Sequence, residues 1–117
     1  IYLPYIGYDA WSAAYWVEEM TGWFGANAMI KVFQGKKTLS SPMHNLKADL
    51  AKDLIIYNNN PIDKWCLSNT VVDIDKNGNI QPSKGKNARQ RIDGTAALLN
   101  AYVVVQDKIN DYQNMIV

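Results

Sequence analysis

Ile1-Tyr2-Leu3-Pro4-Tyr5-Ile6-Gly7-Tyr8-Asp9 is an apolar, β-like run, and the residues after it change period at once. Ala13, Trp16, Val17 and Met20 fall at i, i+3, i+4 and i+7, a single apolar helix face. Asp9 stands where an N-cap stands, and Gly22 where a C-terminal capping glycine stands. Ala28-Met29-Ile30-Lys31-Val32-Phe33 then reads as a second short strand, closed by Gln34-Gly35. Strand, helix, strand is the opening of an α/β layer. An aspartate directly after the first strand lies where such sheets bind ligands, at the carboxyl ends of their strands.

Outward from this segment the pattern continues. Ser41-Pro42 reads as a helix start, with serine as cap and proline at the first helical position. Met43, Leu46, Leu50 and Leu54 give that helix its apolar stripe. Asn58-Asn59-Asn60-Pro61 reads as a loop, and Trp65 to Asp75, rich in Thr, Val and Ile, as a strand. Asn77-Gly78 is a hairpin signal, followed by a return strand from Ile80 that Pro82 should cut short. Ser83 to Asn87 is a small basic, glycine-containing loop. Ile92, Ala96, Leu99 and Val103 are spaced 4, 3 and 4, so a helix is predicted from about Arg89 to at least Gln106, with Asp107 to Val117 as a weaker continuation. The order β-α-β-α-β-β-α predicts an α/β fold with helices on a small mixed sheet.

The 117 residues make one domain, residues 1–117, large enough to bury roughly two thirds of the unfolded surface. Apolar residues at 48% and charged residues at 20% exclude general disorder, collagen and coiled coil. Twelve Lys+Arg against eleven Asp+Glu leave a net charge of +1, so any contact with nucleic acid has to be local. One cysteine, Cys66, and one histidine, His44, exclude an internal disulfide and a zinc cluster and favour a cytosolic setting. No apolar run reaches the ~20 residues of a membrane span, and no signal peptide is visible. The chain begins at Ile1 inside an apolar run and reads as a piece of a longer protein.

Gly35-Lys36-Lys37-Thr38 and Gly85-Lys86-Asn87 both fail as P-loops. Neither has Ser or Thr directly after Gly-Lys, and Ile30 and Ile80 occupy the places of the first glycine. His44 reads as a surface residue, and Cys66 as a small core residue within a strand. Trp16 fits the core face of its helix, while Trp11 and Trp23 read as surface residues. The carboxylates carry more. Asp9 follows a strand. Asp93 opens the long helix directly before Gly94, where a glycine costs about 1 kcal/mol of helix propensity. The missing side chain should therefore admit a close-packed strand or a ligand. Two such carboxylates can converge on divalent metal ions, which activate water and stabilise a leaving oxygen in phosphodiester hydrolysis. The plainer alternative makes Asp9 a helix cap and Asp93 a solvated residue favoured by the helix dipole. Asp73 and Asp75 read as solvated hairpin residues. Lys84, Lys86, Arg89 and Arg91 form the only basic concentration, a solvated loop or a phosphate contact.

Three segments resemble the C-terminal part of tailed-phage terminase large subunits. They are Trp65-Cys66-Leu67-Ser68-Asn69-Thr70-Val71-Val72, Asp75-Lys76-Asn77-Gly78-Asn79-Ile80-Gln81-Pro82-Ser83-Lys84, and Arg91-Ile92-Asp93-Gly94-Thr95-Ala96-Ala97-Leu98-Leu99. Ile6-Gly7-Tyr8-Asp9, Gln34-Gly35 and Leu39-Ser40-Ser41-Pro42-Met43 match the same family in the same order, so the resemblance runs from about Tyr5 to Tyr102. It implies an RNase H-like nuclease fold, truncated at its N-terminal side. It also implies a DNA endonuclease that cuts concatemeric phage DNA with Mg²⁺ or Mn²⁺ held in an acidic cluster. The family aspartates fall on Asp9 and Asp93, which become the catalytic, metal-ligating residues. Lys84, Lys86, Arg89 and Arg91 become a DNA-facing element, and Asn69 matches a family asparagine without an assigned role. The implied partners are double-stranded phage DNA, the small terminase subunit and the portal protein, in the cytoplasm of a bacterial host. A further essential aspartate, on the first strand of such a sheet, would precede Ile1. The chain is therefore expected to hold an incomplete cluster, to be inactive alone, and to offer an open sheet edge through which it could form a homo-oligomer. The competing readings are a non-catalytic prophage-remnant interaction module and a DNA-binding module without catalysis.

Overall fold

A computed structural model describes residues 3–11, 13–87 and 89–115. The elements are β1 (Ile6–Asp9), α1 (Ala14–Phe24), a 3₁₀ turn (Ala26–Ala28), β2 (Met29–Val32), α2 (Lys36–Ala51), α3 (Pro61–Asn69), β3 (Thr70–Ile74), β4 (Ile80–Lys84) and α4 (Asp93–Met115). Ile1 and Tyr2 of the opening run, and Ile116 and Val117 of the tail, lie outside the described residues. The chain divides into two compact units, Ile1–Gln34 with Asn100–Val117, and Gly35–Leu99. Parallel and antiparallel pairing are both present, as the sequence predicts, but in separate two-stranded sheets.

In the first unit, β1-α1-β2 closes a parallel pair, with Ile6 opposite Met29 and Asp9 opposite Val32. Val32, Ala28, Tyr102 and Val104 are buried. The carboxy-terminal part of α4 approaches β1 so closely that a Cβ on Gly7 would stand 2.7 Å from Val104 Cγ2 and 2.9 Å from the Asn100 carbonyl oxygen. Gln34 fastens the end of β2, its Nε2 donating to the Val32 carbonyl (3.0 Å) and to Asn100 Oδ1 (3.1 Å). The start of α1 departs from expectation. Ala13, not Asp9, precedes the helix and gives it no side-chain cap, and α1 runs past Gly22 to end at Gly25. None of its residues is buried, and Trp16 is 44% exposed rather than core. Apolar periodicity marks a helix face but cannot say whether anything covers it. Trp11 and Trp23 are exposed, as expected.

In the second unit, α2 packs on β4 and buries Leu39 and Leu46. It begins at Lys36, before the expected Ser41-Pro42 start, and carries Pro42 inside. An interior proline removes one backbone hydrogen bond and costs about 3 kcal/mol. The extra upstream turn offsets that by burying Leu39 to 2% exposure and by setting Lys36 Nζ 3.0 Å from Asp73 Oδ2. Ser40 Oγ accepts the Ile80 N–H at 3.1 Å, which ties α2 to the hairpin. The segment expected as a strand from Trp65 is helical as far as Asn69. Asn60 caps α3, its Oδ1 accepting the N–H groups of Ile62 (2.9 Å) and Asp63 (3.4 Å), with Pro61 at the first helical position. β3 and β4 pair antiparallel across the expected Asn77-Gly78 turn. Pro82 does not end β4, which continues to Lys84; an edge strand accommodates proline because the absent N–H has no partner to leave unpaired.

Candidate functional site

Asp9 is the last residue of β1, at the carboxyl end of the parallel pair, and is half-buried. Its Oδ1 accepts the Trp11 N–H at 2.9 Å. The expected capping role is thus replaced by a tight local turn between strand and helix. The pairing extends one residue past it, through Ala10 N–H to the Val32 carbonyl at 3.3 Å. Tyr8, Asp9, Trp11, Val17 and Lys31 line a small open cavity of ≈ 220 Å³.

Asp93 is the first residue of α4 and is exposed. The helical bonding starts beside it, with Ala96 N–H donating to the Ile92 carbonyl at 2.9 Å. An acidic side chain in the first turn is favoured by the helix dipole by about 0.3–1 kcal/mol. Gly94 is close-packed, as the sequence suggests, but against a helix rather than a strand. A Cβ there would stand 3.0 Å from Asp63 Oδ1 and 3.3 Å from Cys66 Sγ. Cys66 is buried, as expected, though on α3.

The basic residues lie in the same unit as Asp93 and just ahead of it. Lys84 ends β4, Lys86 and Arg89 stand on the connection, and Arg91 precedes α4 by two residues; all four are exposed. Asn87 Oδ1 accepts the Arg89 N–H at 3.0 Å and shapes this connection. His44 is exposed on α2, as expected. Asp73 and Asp75 are more engaged than solvated hairpin residues. Asp73 Oδ2 accepts from Gln81 Nε2 (3.1 Å) and pairs with Lys36, and these contacts hold its carboxyl below the usual carboxylate range. Asp75 Oδ1 accepts the N–H groups of Asn77 and Asn79, both at 2.9 Å, and so builds the turn.

Asn69, which sequence reasoning leaves without a role, is buried at 6% exposure, and its Nδ2 donates to the Arg91 carbonyl at 3.0 Å. Its expected place in a strand hides this: only as the last residue of a helix capped by Asn60-Pro61 does it turn toward the start of α4. Among the described residues no group of three or more His, Cys, Asp or Glu stands close enough to hold a metal ion, and no helix is long and apolar enough to cross a membrane.

Residues 3–108 match the family model described as the endonuclease domain of the terminase large subunit. Among solved structures, the HK97 bacteriophage large terminase is similar, with a TM-score of 0.70 at 23% identity. The match covers 83% of this chain and 20% of that one, so the chain spans about a fifth of that protein's length. That likeness shows a mixed α/β fold, consistent with the RNase H-like architecture that the family resemblance implies. No curated protein sequence matches the chain. With nearly its whole length inside the family model, the chain belongs to the terminase large subunit endonuclease domain family.

Proposed function

We propose that this chain is part of the C-terminal nuclease domain of a tailed-phage or prophage terminase large subunit. Its parent is a Mg²⁺- or Mn²⁺-dependent endodeoxyribonuclease that cuts concatemeric viral DNA during packaging. The observation that carries the reading is the placement of the two family aspartates. Asp9 closes a parallel strand at its carboxyl end, and Asp93 opens a helix behind a basic connection. Both are assigned here as catalytic, metal-ligating residues.

The donor type suits the ion. Mg²⁺ and Mn²⁺ take hard oxygen ligands, and Mg²⁺ keeps several waters, so a few carboxylates are enough. Two are fewer than a full cluster, so the chain alone is expected to leave DNA uncut. When bound, the metal supplies water activation and stabilises the leaving oxygen. The chain's own part is to hold Asp9 at a strand end and Asp93 at a helix start, with exposed cations beside the latter. Lys84, Lys86, Arg89 and Arg91 are assigned to the phosphate backbone of double-stranded DNA, contacts that set register and orientation. The small terminase subunit and the portal protein are the further partners in the packaging assembly, in the host cytoplasm.

The test is plasmid cleavage by a full-length terminase large subunit carrying this segment. The expected outcome is Mn²⁺- or Mg²⁺-dependent cutting that Asp9→Asn and Asp93→Asn each abolish. Cutting that survives both substitutions overturns the assignment. DNA affinity should weaken with salt, and Lys84→Ala with Lys86→Ala should reduce the slope of log K against log salt by about 2. A slope unaffected by both changes removes those lysines from the interface and leaves the metal assignment standing.

A further inference from the structure

We infer that Asn69 is a positioning residue for Asp93, acting through the backbone that leads into α4. The inference rests on Asp93 being a metal ligand, as proposed above, and assigns work to a residue outside the acidic pair. Burying a primary amide costs about 1–3 kcal/mol unless its hydrogen bonds are made, so a buried asparagine has to be held by something. Asn69 is held by the Arg91 carbonyl, at 3.0 Å, 22 residues further along the chain and two residues before Asp93. That bond closes the hairpin and the basic connection into a loop whose two ends meet at the start of α4.

A second tether lies on the other side of Asp93. The hydroxyls of Thr70 and Thr95 are hydrogen-bonded at 3.0 Å, and Thr70 Oγ1 also donates to the Cys66 carbonyl at 2.8 Å. Thr95 is itself buried at 6% exposure. Between the two tethers, Gly94 sits against Asp63 and Cys66 of α3 with no room to spare. The chain is thus held at its backbone two residues before Asp93 and through the Thr95 side chain two residues after it, while the Asp93 side chain remains exposed. A packing role alone would be served by leucine, which has the same branched skeleton of four side-chain heavy atoms, is somewhat larger, and has no polar atoms to satisfy. A fixed backbone bearing an open carboxylate is what a metal ligand needs. Groups that orient a ligand are commonly worth 10–100-fold in metal affinity.

The experiment is Mn²⁺ titration of the isotope-labelled chain, read as paramagnetic broadening of the Asp93 amide. Asn69→Leu is compared with Leu46→Ala, a core truncation on α2. Asn69→Leu should raise the Mn²⁺ concentration at half-broadening about tenfold, and Leu46→Ala should leave it unchanged. Where Asn69→Leu fails to fold, the unaltered chain decides: the Asn69 side-chain amide protons should exchange at least about tenfold more slowly than those of exposed Asn59. Exchange at the Asn59 rate overturns the inference. So does Asn69→Leu with an unchanged midpoint, provided Asp93→Asn loses the effect. Absence of any effect at Asp93 in the unaltered chain removes the metal assignment, and the inference with it.

Discussion

Asp9 and Asp93 each stand within two residues of a glycine on which a helix rests, yet the two supports differ. At Gly7, two residues before Asp9, the obstacle to a side chain is the Asn100 backbone together with Val104. At Gly94, directly after Asp93, it is the ends of two side chains, Asp63 and Cys66. The Asp9 carboxylate binds its own turn, at Trp11 N–H. Asp93 depends on a partner far along the chain, since Asn69 fixes the Arg91 carbonyl. The setting of Asp9 is encoded by neighbours in sequence and a rigid backbone contact. That of Asp93 is encoded by tertiary contacts that can give.

The comparison can be broken by substitution. Gly7→Ala should have the largest effect. Alanine is favoured over glycine inside a strand by about 0.5–1 kcal/mol, but overpacking against backbone costs about 1–3 kcal/mol. A net loss of about 2 kcal/mol is expected from urea unfolding, since the Asn100 carbonyl cannot step aside without moving α4. An unchanged midpoint would mean that β1 does not rest on that helix.

Gly94→Ala should cost less. The helix-propensity gain of about 1 kcal/mol opposes the crowding, and both obstructing groups are side chains, so a net loss of about 1 kcal/mol or less is expected in the same assay. A loss larger than that of Gly7→Ala would reverse the comparison.

Asn60→Ala tests the support one step removed, through the cap of α3, the helix that carries Asn69. Loss of an asparagine cap costs about 1 kcal/mol, so thermal unfolding should show a drop of that order. No change would mean that α3 is held by packing alone.

The smallest effect concerns pH. The Asp73 carboxyl titrates below the ordinary aspartate value because Gln81 and Lys36 bind its charged form. A lowered folded-state pKa gives stability that is fully present above the unfolded value and is lost as pH falls through the folded one. Acid unfolding of the unaltered chain should therefore steepen below about pH 4, and Asp73→Asn should flatten that part of the curve. Identical curves would show that this partly exposed cluster adds nothing.

Where the period is local, the fold is legible in the sequence. β1 and β2 follow from short apolar runs, the hairpin from Asn77-Gly78, and α4 from the 4-3-4 spacing beginning at Ile92. The two misplaced elements share a cause. Ser41-Pro42 and Asn60-Pro61 are the same kind of signal, a capping residue before a proline. Only the second starts a helix, because burial of Leu39 and the Lys36–Asp73 pair carry α2 through Pro42. Reading Trp65 to Asp75 by composition as a strand follows from its Val and Ile, yet capping by Asn60 turns Pro61–Asn69 into helix. Of the candidate site, the positions of both aspartates were legible, through a strand end and a helix start. The tether at Asn69 was not, since a hydrogen bond across 22 residues leaves no periodic trace.

The most direct test of the central assignment is Mn²⁺ titration of the labelled chain followed at every amide. Broadening is expected at Asp9 and at Asp93, each lost when that residue is changed to asparagine. Broadening centred elsewhere, or broadening at either aspartate that survives its own substitution, would contradict their assignment as metal ligands.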